Sequence, residues 1–335
     1  MNVAINPPRG KRSHFYIRLG TVLGGALALL ILSLMWWWDH EPAPLDTPAT
    51  SAEAARAAGR TPATGSATVR TLAAVAGALL DKRGGYLSND MLSPGALMDN
   101  VPNWEFGVLV QVRDLSKALR NDFSRSQTQS VEDSDLAEAD PLFSSPSDRW
   151  LLPSSESQYR KGIAHLDAYL TRIENPASGV NFYARADNLV DWLAVVEKRL
   201  GSLSQRLSAS AGQAVLDTNP DSTGEVGPDG LTVVRTPWTK IDDVFYEARG
   251  STWALLQFLK AVEVDFDRVL RDKNALVSLR QIIRELEETQ APLGSPIVLN
   301  GTPFGFFANH SLVMANYISR ANAAIIDLRR LLERG

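Results

Sequence analysis

The 335-residue chain contains no cysteine. Disulfides, thiol nucleophiles, haem attachment through cysteine and Cys-based zinc sites are therefore excluded, and stability has to come from packing. Histidine is scarce too: of four, His14 and His40 flank an apolar run, which leaves His165 and His310 for chemistry. No HExxH pair, GxSxG elbow, Walker A loop or Rossmann fingerprint is present, so the enzyme classes carried by those motifs lack their signatures. Sustained two-residue alternation is also missing. Sheet is limited to a short hairpin at most, with Leu231–Val234 and Ile297–Leu299 as the strand-like pieces.

What the chain does contain is a charge-free run from Leu19 to Trp38, preceded by Arg9, Lys11, Arg12 and Arg18 and followed by Asp39 and Glu41. At ~1.5 Å per residue a helix of this length reaches roughly 30 Å, the hydrocarbon thickness of a bilayer. A cleaved signal peptide has a shorter apolar core and a small-residue cleavage site, and neither is seen. Trp36, Trp37 and Trp38 suit the aromatic belt at a membrane surface, and Arg18 suits the opposite interface. The sequence thus predicts an uncleaved single-pass anchor in a bacterial inner membrane. By the positive-inside rule the N-terminus is cytoplasmic and the C-terminal domain periplasmic. Gly20, Gly24 and Ala28 recur every four residues and form a stripe through which a homodimer could pack.

The expected division is a basic tail over 1–18, the span over 19–38, a mobile Pro/Ala/Thr/Ser linker over 39–66 and a helical domain over 67–335. The first 38 residues hold four of the 34 bases and none of the 38 acids. The remainder is acidic, which argues against nucleic acid as a partner. Its apolar residues recur at spacings of three and four: Val69 to Leu79, Val108 to Leu119, Tyr159 to Ile173, Leu189 to Leu207, Leu255 to Val269, Leu276 to Leu286 and Met314 to Leu332. This is the seam of packed helices, and it predicts an all-α bundle of about seven or eight helices after the anchor. The gap at 208–237 either divides the domain into two halves or inserts a loop into one bundle.

Candidate sites are few. Asp133, Asp135 and Glu138 cluster in an acidic, Ser-rich stretch and are the only candidates for calcium. The twelve-residue loop with a central glycine is absent, so a solvated loop is expected there instead, with no metal and no cofactor. Asp243 and Glu247 lie one helical turn apart near Arg249. Paired carboxylates can perform acid–base chemistry, and together with His310 they are the candidates for a hydrolase. The plainer account is an acidic first helical turn balanced by Arg249, with His310 at a helix start.

Several long phrases carry a resemblance: GGYLSND, DNVPNWEFGVLVQVRDLSKALRNDFSRSQ, FYARADNLVDWLAVVEKRLGSLSQRL, DDVFYEARGSTWALL, LRQIIRELEETQ and NHSLVMANYISRANAAIIDLR. Across Leu72 to Leu331 the chain resembles a family of uncharacterised proteobacterial membrane proteins with a domain of unknown function. The resemblance implies a single-span inner-membrane protein of Gram-negative bacteria and supplies no catalytic residue. The functional expectation is a non-enzymatic, membrane-anchored helical module that binds another envelope component, in all expectation a protein. The alternatives are an envelope hydrolase acting on glycan or lipid, and a lipid-binding protein.

Overall fold

The four-three seams form helices, one of them in two pieces, in the computed structural model, which describes residues 10–45, 56–57, 59, 62–127, 130–216, 231–295, 297–302 and 305–334. The protein is all-helical apart from one small hairpin among these residues. Helix α1 spans Gly10–Trp38. It is followed by α2 Ser66–Asp81, α3 Asn100–Ala118, α4 Ser134–Phe143, α5 Ser155–Ile173 and α6 Ala186–Ser208. Strands β1 Gln213–Leu216 and β2 Leu231–Val234 pair antiparallel, and then come α7 Ile241–Asp265, α8 Asp267–Asp272, α9 Leu276–Glu288 and α10 His310–Glu333.

Two departures from the expected helix count have local causes. The acidic stretch forms α4 because Asp133 caps its N-terminus, accepting from the backbone N–H of Asp135 and Leu136. Leu136, Ala139 and Phe143 then face the core at helical spacing. The seam from Leu255 to Val269 is broken at Phe266, whose ring is buried between Phe123 and Phe182, so α8 starts afresh. Residues 297–299 do not form a strand. Leu299 instead exchanges backbone and side-chain bonds with His310, and Asn300 bridges Asn309.

Helices α3 and α7 run parallel through the centre. Trp104 packs on Trp253 with ring centroids 5.2 Å apart, and Phe123 meets Phe266 just past the two C-termini. At their crossing a Cβ on Gly107 would collide with the Glu247 carbonyl, and one on Gly250 with that of Trp104. Both glycines lower intrinsic helix propensity, so close backbone approach accounts for them. The remaining helices run antiparallel to this pair or return along it. Arg206 of α6 meets Glu247 near the start of α7, whereas Asn188 near the start of α6 donates to the Asp122 carbonyl just beyond α3. Helix α10 returns along α6, with Ser204 bonded to Ser319 and Arg329 paired with Glu197. One hydrophobic core extends from Val69 to Leu332, taking in helices on both sides of the 208–237 segment.

Charged groups are placed at helix ends. Asp265 accepts from the backbone N–H of Gly65 and Thr68 at 2.8 and 2.7 Å and from the Thr68 hydroxyl, so the C-terminus of α7 caps the N-terminus of α2. Burial pushes the Asp265 carboxyl up against the pull of these donors. Lys82 and Glu105 form a buried ion pair at 2.5 Å, and Glu105 also accepts from the Leu87 and Ser88 backbone.

Helix α1 contains a window, Phe15–Trp38, with a mean hydropathy of 2.1, and is long and apolar enough to cross a membrane. It starts before the expected Leu19, because Phe15, Tyr16 and Ile17 extend the apolar surface past Arg18, whose long side chain can reach outward. The basic tail over 1–9 and parts of the expected linker (46–55, 58, 60 and 61) lie outside the described residues, as does 217–230 of the long gap. Residues 39–45 are described, and they lie against the domain. Glu41 pairs with Arg249 at 2.7 Å, Arg83 stacks over the Trp37 ring at 4.5 Å, and Trp38 approaches Gly84.

Replacing Gly250 with alanine sets a methyl against backbone that cannot give way, and it should cost about 3 kcal/mol. Gly294→Ala, where a Cβ meets nothing within 4 Å, should change stability by less than about 0.5 kcal/mol. Urea unfolding of the full chain in detergent, followed by circular dichroism, measures both.

Candidate functional site

The glycine crossing leaves a concave strip beside it. A groove of about 510 Å³ runs between α3, α6 and α7. Its inner wall is Gly107, Glu247 and Ser251, the same residues that make the crossing. Its floor is apolar, with Trp192 buried and Phe106 and Val195 exposed at the mouth. The Trp192 indole N–H finds no hydrogen-bond partner among the described residues, and is left as a buried donor at the groove.

Charge is arranged on the groove in pairs. Arg199 of α6 binds both oxygens of Asp114 of α3, at 2.7 and 3.0 Å, and Arg206 binds both oxygens of Glu247, at 2.7 and 2.5 Å. These two forks tie α6 to α3 and α7 and leave Lys117, Lys198, Asp122 and Asp191 along the rim. Asp122 and Asn121 sit in a five-residue π turn, Leu119–Phe123, that widens the end of α3. Burial, and then the nearby Asp191 carboxylate, push the Asp122 carboxyl above its ordinary range.

The four residues singled out for hydrolysis are not brought together. Asp243 pairs with Lys240 on the outer turn of α7, and Glu247 belongs to the groove through Arg206. Arg249 turns inward on the same helix. It binds Glu41 and donates to the carbonyls of Thr289, Gln290 and Ala291 at 3.1, 3.2 and 2.8 Å. His310 accepts from the Leu299 backbone through Nδ1, and burial lowers its pKa, so it stays neutral at pH 7. Arg249 and His310 do share a smaller apolar pocket of about 180 Å³, with Phe245, Leu293 and Met314.

The calcium candidates have other partners. Arg172 binds Asp133 through both oxygens at 2.7 Å and also bonds Asp135, which His165 contacts at 3.0 Å, while Glu138 points to solvent. No group of three or more metal-ligating side chains is found among the described residues. In α1 nothing lies within 4 Å of a Cβ built on Gly20 or Gly24, and Trp36 and Trp37 are exposed while Trp38 is partly covered.

Residues of the groove went unnoticed in the sequence for a definable reason. Asp114 and Lys117 on α3 with Asn121 in the π turn that follows it, and Asp191, Lys198 and Ser202 on α6, form polar stripes at helical spacing beside the buried seams. Such stripes ordinarily face water, and only the relative rotation of α3 and α6 turns these two toward each other.

Fold and site together define a helical bundle preceded by one apolar helix of membrane-spanning length, with a charged lateral groove. Residues 11–335 match the model of a family described as "Uncharacterized protein conserved in bacteria (DUF2333)", and the chain belongs to that family. No curated protein and no solved structure matches it.

Because the Asp122 carboxyl titrates above its ordinary 3.8 when folded, the folded state holds its proton longer than the unfolded one. Its contribution is intact below about pH 4 and is lost as pH rises through the folded value. Asp122→Asn, which mimics the protonated acid, should therefore raise the thermal midpoint at pH 7 and leave it nearly unchanged at pH 3.5 relative to the parent chain. Thermal melts at the two pH values measure the difference.

Proposed function

We propose that this protein is a membrane-anchored helical module of the bacterial inner membrane, with its C-terminal domain in the periplasm, that binds another envelope protein through the groove between α3, α6 and α7. The observation that carries this reading is the groove itself: an apolar floor with a buried, unsatisfied Trp192 N–H and a rim bearing both signs of charge. An apolar floor with a polar rim is the anatomy of a protein interface, and buried tryptophan and arginine are frequent anchors in one. The basic flank of α1 supports a cytoplasmic N-terminus, and its Trp-rich end supports retention of the helix as an anchor.

A photo-crosslinking residue at Val195 or Phe106 of the full chain in bacterial cells should give one discrete adduct. The same residue at Lys161, on α5 away from the groove, should give none. Combining the Phe106 probe with Val195→Glu should abolish the adduct. Equal crosslinking from all three positions, or none from the groove, rejects the reading.

One observation favours a second reading, an envelope hydrolase. Asp122, whose carboxyl is pushed above its ordinary range by burial, shares the groove with the neighbouring Asp191, and a pair of carboxyls of which one is held protonated is the arrangement that general acid–base catalysis uses. On that reading the purified chain releases reducing ends from peptidoglycan or fatty acid from phospholipid, and both Asp122→Asn and Asp191→Asn lose that activity by a factor of at least ~100. Absence of release by the parent chain rejects it.

A further inference from the structure

The end of the bundle nearest α1 carries an unusual load of exposed apolar side chains. The loop between α2 and α3 exposes Met91, Leu92 and Leu97, with Leu92 at 75%, and the loop between α4 and α5 exposes Trp150, Leu151 and Leu152, with Leu152 at 96%. The two loops are bound to each other. The Asn89 side chain donates to the Arg149 carbonyl at 2.7 Å and bonds Glu156 at 2.8 Å, while the Tyr86 hydroxyl donates to the Ser147 carbonyl at 3.0 Å. These contacts hold the loops as one platform. Isolated exposed apolar residues need no explanation, but six on two joined loops amount to a surface that water alone does not account for.

The position of this platform relative to the anchor is fixed by contact. Leu97 and Met98 line one small cavity with Met35, Trp36 and Asp39, so the α2–α3 loop lies alongside the last turn of α1. Three further contacts prevent the bundle from swinging away: the Glu41–Arg249 pair, Arg83 on Trp37, and Trp38 on Gly84. A side chain packed at the level of Trp36 shares the depth of Trp36. If α1 spans a bilayer, as the reading above has it, that depth is the interface, where Trp and Leu are favoured and loops of this composition insert. Arg83 and Arg149 are exposed beside the two loops, at the level where lipid phosphates lie.

From this we infer that the domain has a lipid-binding face: the Met91–Leu97 and Trp150–Leu152 loops insert their apolar side chains into the interface of the bilayer that α1 spans, and they hold the bundle on the membrane surface in one orientation. The occupant is the lipid layer itself. The inference rests on the anchor reading of α1 and adds to it a second, peripheral contact made by the folded domain.

The absence of cysteine allows single labels. The full chain carrying one NBD-labelled cysteine at Leu92→Cys, Leu152→Cys, Leu30→Cys or Arg268→Cys is placed in nanodiscs of phosphatidylcholine with a minority of phosphatidylglycerol. Leu92 and Leu152 are exposed, so neither substitution disturbs packing, and Arg268 is an exposed position on α8 at the other end of the bundle. At 92 and 152, NBD emission should shift to the blue, lose about half its intensity to lipids with a headgroup-proximal nitroxide, and resist aqueous iodide; at 268 the opposite should hold. If 92 and 152 respond to iodide and not to the nitroxide lipid while 30 is quenched by lipid, the peripheral contact is overturned and the anchor stands. If 30 is open to iodide as well, the anchor reading fails and this inference with it.

Discussion

The close crossing of α3 and α7 is the contact on which the rest of the bundle is arranged. Two glycines, Gly107 and Gly250, let backbone meet backbone, and the helices then share a buried bond from Gln111 to the Ser251 hydroxyl at 2.8 Å and the Trp104–Trp253 contact. Helix α7 is surrounded on nearly all sides, and from Ala248 to Val262 it is buried around most of its circumference, the polar Arg249, Ser251, Thr252 and Gln257 included. The same crossing sets the inner wall of the lateral groove. A larger residue at either glycine would therefore push Glu247 and Ser251 outward and alter the groove as well as the core.

With no disulfide available, the fold relies on charged groups reaching the ends of helices that are distant in sequence. Asp265 caps α2 from a position 197 residues beyond Thr68, and Arg249 collects the carbonyls of the turn that follows α9, Thr289 to Ala291, from 40 to 42 residues before them. Lys82 and Glu105 tie the end of α2 to α3. A buried pair of this kind adds little net stability compared with apolar packing, but losing one partner strands a charge. Such contacts select one arrangement of helices over others that would bury the same apolar stripes.

How much of this was legible in the sequence follows from the range of each interaction. The apolar seams are local, recurring every three or four residues, and they gave the helices of the bundle and its all-α class. Helix α4 escaped because its seam is only Leu136, Ala139 and Phe143, set in acids and serines with Pro141 inside it. Arg249 was visible only as a neighbour of Asp243 and Glu247; its partners are Glu41 and a carbonyl cluster, and no short-range pattern connects them. The groove depends on how two helices are rotated about their axes. That rotation is decided by Gly107 and by the Arg199 and Arg206 forks, whose acidic partners lie 85 and 41 residues away.

Arg249 has a mechanical side. Its guanidinium joins the segment leaving α1 to the carbonyls of the turn that closes α9 while standing on the first half of α7. A pull on the chain between α1 and the bundle is therefore shared between α7 and the turn that closes α9, and does not fall on a loose strand alone. Among the contacts that carry tension from α1 into the bundle, this one reaches the domain's interior through a salt bridge, which can break and re-form without unfolding α7.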